Sequence, residues 1–181
     1  NASEIAFVIA ENQYRKASDV ANRSEQAQNR ADKEDLKAKA RELYREAIPL
    51  YERVISMFGG TPKGIRAQYK LGWINYSLEQ PLAAAEHFLA YNELEADPKN
   101  QQDRLEAKFR GAEQLMFSET PAKAIPHFQE FLSWYEEDSP VSIDMTTERA
   151  RELEVDAASY LAWAYDLDAD NTARPRLQQI D

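Results

Sequence analysis

Residues 67–91, AQYKLGWINYSLEQPLAAAEHFLAY, and residues 107–131, AKFRGAEQLMFSETPAKAIPHFQEF, are one segment written twice, a period of forty residues apart. Aligned, they share Ala67/Ala107, Glu79/Glu119, Pro81/Pro121, Ala84/Ala124, His87/His127 and Phe88/Phe128, and Tyr69/Phe109 and Tyr91/Phe131 agree in kind. A period of this length marks a solenoid, whose units bury their apolar faces only against neighbouring units. Apolar residues inside each copy recur at three- and four-residue steps, so the units are helical and the chain is predicted to be all-α.

Working outward, Gln80-Pro81 and Thr120-Pro121 each place a proline where it suits a first helical turn. The spacing predicts helices over 64–78, 81–96, 101–117 and 121–137. Upstream, Leu36, Leu43, Ala47, Tyr51, Val54 and Ile55 form a stripe on a helix over 35–58, stopped by Gly59-Gly60-Thr61-Pro62. Pro49 inside it removes one backbone bond and predicts a kink. A first helix over 5–23 carries Ile5, Val8, Ile9 and Val20 as its apolar positions. The polar stretch 22–33 either continues that helix as a solvated arm or forms a loop. Within the wider segment 15–46, mixed charge and alanine describe a solvated extension, or an arm that docks on a partner. A seventh helix is expected over 147–168, and TARPRLQQID reads as the start of an eighth. No strand is expected.

Composition narrows the classes. The chain has 181 residues, 43% hydrophobic and 30% charged, enough for a packed core. A net charge of −10 repels phosphate backbones and anionic lipid, so nucleic acid and membrane surfaces are poor partners. No stretch reaches the roughly 18 apolar residues of a membrane span, so direct membrane insertion is not expected. The absence of cysteine excludes disulfides, thiolate metal sites and a cysteine nucleophile, and suits a reducing cytosol or a bacterial envelope alike. The start at Asn1-Ala2 is read as the edge of an excised piece or of a processed product.

The pattern resembles the tetratricopeptide repeat (TPR). Leu71-Gly72, Asn75-Tyr76, Ala84, Phe88 and Tyr91 follow that motif's order, and Gly111-Ala112, Leu115-Met116, Ala124, Phe128 and Phe131 follow it more loosely. Leu161-Ala162 with Tyr165 resembles the first helix of a further unit, and Ile9-Ala10, Tyr14, Ala47, Tyr51 and Val54 a first unit with a long insertion. Units about forty to fifty residues long, with proline at their junctions, are similar to bacterial cell-envelope members of the family, of the outer-membrane assembly lipoprotein and Tol–Pal-associated type. The resemblance implies an α-α superhelix of about three and a half hairpins in a single domain over 1–181. Its parts are an extended hairpin over 3–58, a second over 64–98, a third over 101–139 and an incomplete fourth over 147–181. It favours a periplasmic or envelope location.

By that resemblance the first helix of each unit lines a concave groove for a peptide or a partner's helix. The groove positions are Phe7, Glu11 and Tyr14, with Glu4 and Arg15; then Arg66, Tyr69, Trp73 and Tyr76. The third unit supplies Glu106, Phe109, Glu113 and Met116, with Phe117, and the fourth Trp163, with Asp156, Ser159 and Asp166. Members that clamp a peptide's carboxylate use Lys and Asn there; Tyr69, Trp73, Phe109 and Glu113 instead imply an apolar partner carrying positive charge. Several of these aromatics have a plain alternative use, filling space between helices.

Chemistry has little foothold in the residues. His87 and His127 are the only histidines, and equivalent positions of successive repeats lie about 20 Å apart given two helix spacings of 8–10 Å. No Glu-x-x-His, His-Glu-x-x-His or glycine-rich phosphate loop occurs. The expected function is therefore non-catalytic protein binding with no cofactor or metal. The alternatives are a structural spacer in a longer repeat protein, and a homo-oligomer formed through the exposed last helix.

Overall fold

The structure, a computed structural model, describes residues 1–136 and 144–177, with side chains through Ala169. Among the described residues every regular element is helical: α1 (Ala2–Gln26), α2 (Arg30–Phe58), α3 (Pro62–Ser77), α4 (Pro81–Leu94), α5 (Gln101–Met116), α6 (Ala124–Ser133) and α7 (Glu148–Leu177). Short 3-10 turns at Pro98–Asn100 and Pro121–Lys123 lead into α5 and α6. The fold is all-α. The chain divides into two compact units, Asn1–Gln80 and Pro81–Asp181, with the division inside the expected 64–98 hairpin. The expected ends of the third and fourth hairpins, 137–139 and 178–181, lie outside the described residues.

In the first unit, α1 and α2 form a long antiparallel pair and α3 packs against both. The polar stretch 22–33 is helix on both sides of a three-residue turn. Asn29 decides this: its side-chain oxygen accepts from the Asp32 amide at 2.7 Å, so α2 starts at Arg30, ahead of the expected 35. Asn1 caps α1 in the same way, accepting from the Glu4 amide at 3.0 Å. Ala10, Ala17, Ala40 and Ala47 are no more than 3% exposed and let the two helices approach closely, while Phe7, Tyr44, Tyr51 and Val54 fill the space beside them. The inward stripe of α1 is therefore Phe7, Ala10 and Ala17. Ile5, Val8 and Ile9, expected to share that apolar face, are 64%, 45% and 53% exposed.

α2 runs through Pro49 as one continuous helix. Thr61 caps α3 by accepting from the Gly64 amide at 3.2 Å, with Pro62 in the first turn. Gly64 has no room for a side chain, because a Cβ there would fall on the Phe58 carbonyl and within 2.6 Å of Gly59 Cα. α3 ends in a Schellman turn: the Gln80 amide donates to the Asn75 carbonyl at 2.9 Å and the Glu79 amide to the Tyr76 carbonyl at 3.0 Å. Glu79 takes the left-handed position (φ 57°), where glycine is usual, and its carboxylate is held at 2.6 Å by Arg41 of α2.

In the second unit, α4 and α6 pack on α5, and α7 lies across α5 and α6. Phe109, Phe128 and Phe131 are at most 1% exposed, and Leu105, Ala112, Ala124, Leu153 and Ala157 close the core around them. Gly111 lets α4 approach α5, since a Cβ there would sit 2.7 Å from the Leu89 side chain. The sixth helix, expected over 121–137, is shorter. Pro126 has no amide to give Ala122, so the regular helix starts at Ala124 with proline in its first turn. The seventh helix, expected to stop near 168, continues to Leu177; no separate eighth helix starts at Thr172, because no glycine ends the first.

Candidate functional site

Each unit places its share of the expected groove residues separately. In the first unit, Glu11 is a clasp between three helices. Tyr51 Oη of α2 donates to Glu11 Oε2 at 2.9 Å, and Lys70 Nζ of α3 donates to Oε1 at 2.9 Å. The Glu11 and Lys70 side chains are only 16% and 17% exposed. Lys70 Nζ also stands 4.4 Å from the centre of the Tyr14 ring, which is tilted against Tyr44 at 5.9 Å. Burial, then Tyr44 and Glu11, pushes the Tyr14 phenol up to about 12. Burial and the Glu11 carboxylate raise Tyr51 far above the ordinary phenol value. Glu11 and Tyr14 are thus engaged inside the unit.

Phe7 is buried edge-on against Tyr51, with Lys63 Nζ 4.9 Å from its ring centre. Along α3, Tyr69, Trp73 and Tyr76 follow one another at edge contacts of 6.1 and 5.5 Å, and the Arg66 guanidinium lies 4.6 Å from the Tyr69 ring centre. Tyr69 is buried, Trp73 half-buried and Tyr76 38% exposed. Of the expected groove aromatics in this unit, Tyr76 is exposed, Tyr14 and Trp73 are half-buried, and Phe7 and Tyr69 are buried.

In the second unit the acidic positions are bound by arginines. Glu106 receives Arg110 Nε at 2.8 Å and Arg149 from α7 at 2.8 and 3.0 Å, and Arg110 Nη1 meets both oxygens of Glu113 at 2.8 and 2.7 Å. Burial opposes ionisation of Glu106, but the hydrogen bond from Arg149 and the charges of Arg110 and Arg149 outweigh it and hold the carboxyl below its usual range. Phe109 and Met116, expected in the groove, are corrected to core positions at 1% and 5% exposure. Phe109 rests against Phe128, Phe131 and Tyr160 at 5.8–6.2 Å. Its place one helical turn from Ala112 and Leu105 turns it inward.

A group of three rings reaches the surface of this unit. Phe117, at the C-terminal end of α5, makes edge contacts at 6.1 Å with Tyr160 and Trp163 of α7, which stack on each other at 6.3 Å. Tyr160 also stacks on core Phe128 at 5.8 Å, so the group is anchored from below. Phe117 and Trp163 are 52% and 46% exposed. Sequence reasoning named Trp163 and Phe117 but passed over Tyr160; its place three residues before Trp163, on one helix face, was the available signal.

Of the two histidines, His127 is half-buried. Its Nδ1 makes no hydrogen bond, and burial together with nearby Lys108 keeps the imidazole below its ordinary value. Lys108 is itself buried, pairs with Glu130 and lies 6.0 Å from the Trp134 ring centre. Among the described residues no cluster of three His, Asp or Glu side chains is placed to hold a metal ion, and no helix is long and apolar enough to cross a membrane. No protein-family model, curated protein or solved structure matches this chain.

Proposed function

We propose that the chain is a non-catalytic binding module of tetratricopeptide type that takes a peptide or partner helix of apolar and basic character. The observation that carries this reading is the exposed ring group Phe117, Tyr160 and Trp163. Rings already held by their neighbours bury large areas with little loss of side-chain freedom, which is what binding hot spots require. Asp156 lies one turn before Tyr160 and Asp166 one turn after Trp163, both exposed, so basic residues flanking an apolar anchor would be favoured. Support for the family reading is the residue pattern of 67–91 and 107–131. Support for a role in bacterial envelope assembly is only the length and proline junctions of the units.

The test is a selection of random peptides displayed against the full chain, followed by affinity measurement for those enriched. Phe117→Ala and Trp163→Ala should each weaken the selected peptides by about thirtyfold, the scale of a hot spot, while the parent's helical circular-dichroism spectrum is retained. Failure to enrich any apolar-basic peptide, or affinities indifferent to both changes, would reject the reading.

The spacer alternative has one observation in its favour. Glu11, Glu106 and Glu113 are all bound by cations of their own unit, so the charged positions a groove would offer are already engaged.

A further inference from the structure

The α1–α2 hairpin is apolar on two sides. One side, built on Phe7, Ala10, Tyr44, Ala47 and Tyr51, is buried within the unit. On the other, Ile5 and Ile9 of α1 and Leu50, Met57 and Phe58 of α2 border an open groove of about 320 Å³. Ile5, Ile9 and Met57 are 64%, 53% and 57% exposed. A helix of a globular protein normally shows one apolar stripe and a polar opposite face; apolar residues on both sides mark a helix meant to be covered twice. Residues contiguous in this way, on two adjoining helices, exceed the scattered single exposures that need no explanation.

Charge identifies what covers it. Among the described residues Arg53 is the one ionisable residue lining the groove, and it makes no ion pair with any of them. An arginine covered by an apolar partner must be given a counter-charge, because a desolvated and unpaired guanidinium is strongly unfavourable. One cation is far too few to draw the hairpin onto an anionic membrane, which takes a cluster of Lys and Arg. The shape suits a helix, since a trough between two antiparallel helices receives the ridge of a third. We infer that the outer face of the α1–α2 hairpin, bounded by Ile5, Ile9, Leu50 and Met57, docks one amphipathic helix whose apolar stripe carries a carboxylate opposite Arg53. This surface belongs to the first unit and is independent of the ring group proposed above.

The experiment uses two synthetic helical peptides with the same leucine stripe, one bearing Glu and the other Lys at the stripe's centre. Each is titrated into the full chain by fluorescence anisotropy. The Glu peptide should bind at least about fivefold tighter than the Lys peptide, the scale of a partly exposed ion pair. Arg53→Glu should invert that preference. Ile9→Asp, and separately Met57→Lys, should weaken the Glu peptide at least about tenfold by breaking the apolar contact, with the thermal midpoint unchanged because both side chains are exposed. The inference is overturned if neither peptide binds, or if Arg53→Glu leaves the preference as it was. It is overturned too if sedimentation shows a concentration-dependent dimer that Ile9→Asp dissolves, for then the face belongs to a second copy of the chain.

Discussion

Replacing Glu11 tests whether this residue holds the first unit together or waits for a ligand. Its carboxylate stands 2.9 Å from Lys70 Nζ and 2.9 Å from Tyr51 Oη. At an effective dielectric of about 20, a charge pair at that distance attracts by about 6 kcal/mol. Most of this is offset by desolvation of two side chains left only 16% and 17% exposed, which leaves a net coupling of about 1–2 kcal/mol. Glu11→Ala alone should cost more, about 2–4 kcal/mol, because the fully buried Tyr51 hydroxyl loses its acceptor and Lys70 its counter-charge. Glu11→Gln keeps an acceptor for Tyr51 and should cost roughly half of that. The assay is equilibrium urea unfolding followed by far-UV circular dichroism, on a double-mutant cycle of Glu11→Ala with Lys70→Met. Because the pair is mostly shielded from solvent, the coupling should persist in about 1 M salt, where exposed pairs are screened away. A coupling below about 0.3 kcal/mol, or an alanine variant as stable as the parent, would show that the clasp does not secure the three helices and would return Glu11 to the groove.

Two further outcomes follow from the packing. Gly64→Ala should destabilise the chain by at least about 2 kcal/mol, because the clash is with the backbone of Phe58 and Gly59, outweighing the roughly 1 kcal/mol gain in helix propensity; a thermal midpoint equal to or above the parent's would contradict that geometry. Stability should also fall as pH rises above 10.0, the ordinary tyrosine value. There the unfolded chain ionises Tyr51 while the folded chain keeps it neutral, so the unfolded state binds fewer protons at a cost of about 1.4 kcal/mol per pH unit. Tyr14, pushed up to about 12 by burial, adds to the same loss. Tyr51→Phe should flatten the alkaline limb of a pH–stability profile, and an unchanged slope would count against the buried phenol as its source.

The helices were legible because the repeat and its punctuation are local signals. Four of the pairs matched between the two copies proved to be fully buried: Ala67 and Ala107, Ala84 and Ala124, Phe88 and Phe128, and Tyr91 and Phe131 are all 0% exposed, while the matched Glu79 and Glu119 face solvent. A period of three to four residues reports which positions share a helix face, and proline and the glycine pair mark where faces must end. The same signal could not tell whether a face looks toward a partner or toward the core. Phe109 and Met116 sit at positions the resemblance assigned to a groove, and only packing against Phe128 and α7 shows them to be interior. On α1 the ambiguity runs the other way, since Ile5 and Ile9 look like core by their spacing and are exposed.

The site was legible in kind more than in membership. Aromatic residues and carboxylates were singled out as groove chemistry, but Phe7, Tyr69, Phe109 and Glu113 are buried, and the partners that engage such residues are remote in sequence. Tyr51 and Lys70 reach Glu11 from helices forty and fifty-nine residues further on. Arg149 reaches Glu106 from α7, and Phe117 meets Trp163 across a comparable gap. What the sequence by itself determined is the all-α character, the approximate extent of most helices and the small residues at close approaches, because each depends on neighbours within one or two turns. What only the tertiary structure decided is which carboxylates are spent on internal pairs and which rings stay open. Burial is set by the elements that come to lie against a residue, and those contacts carry no local mark in the chain.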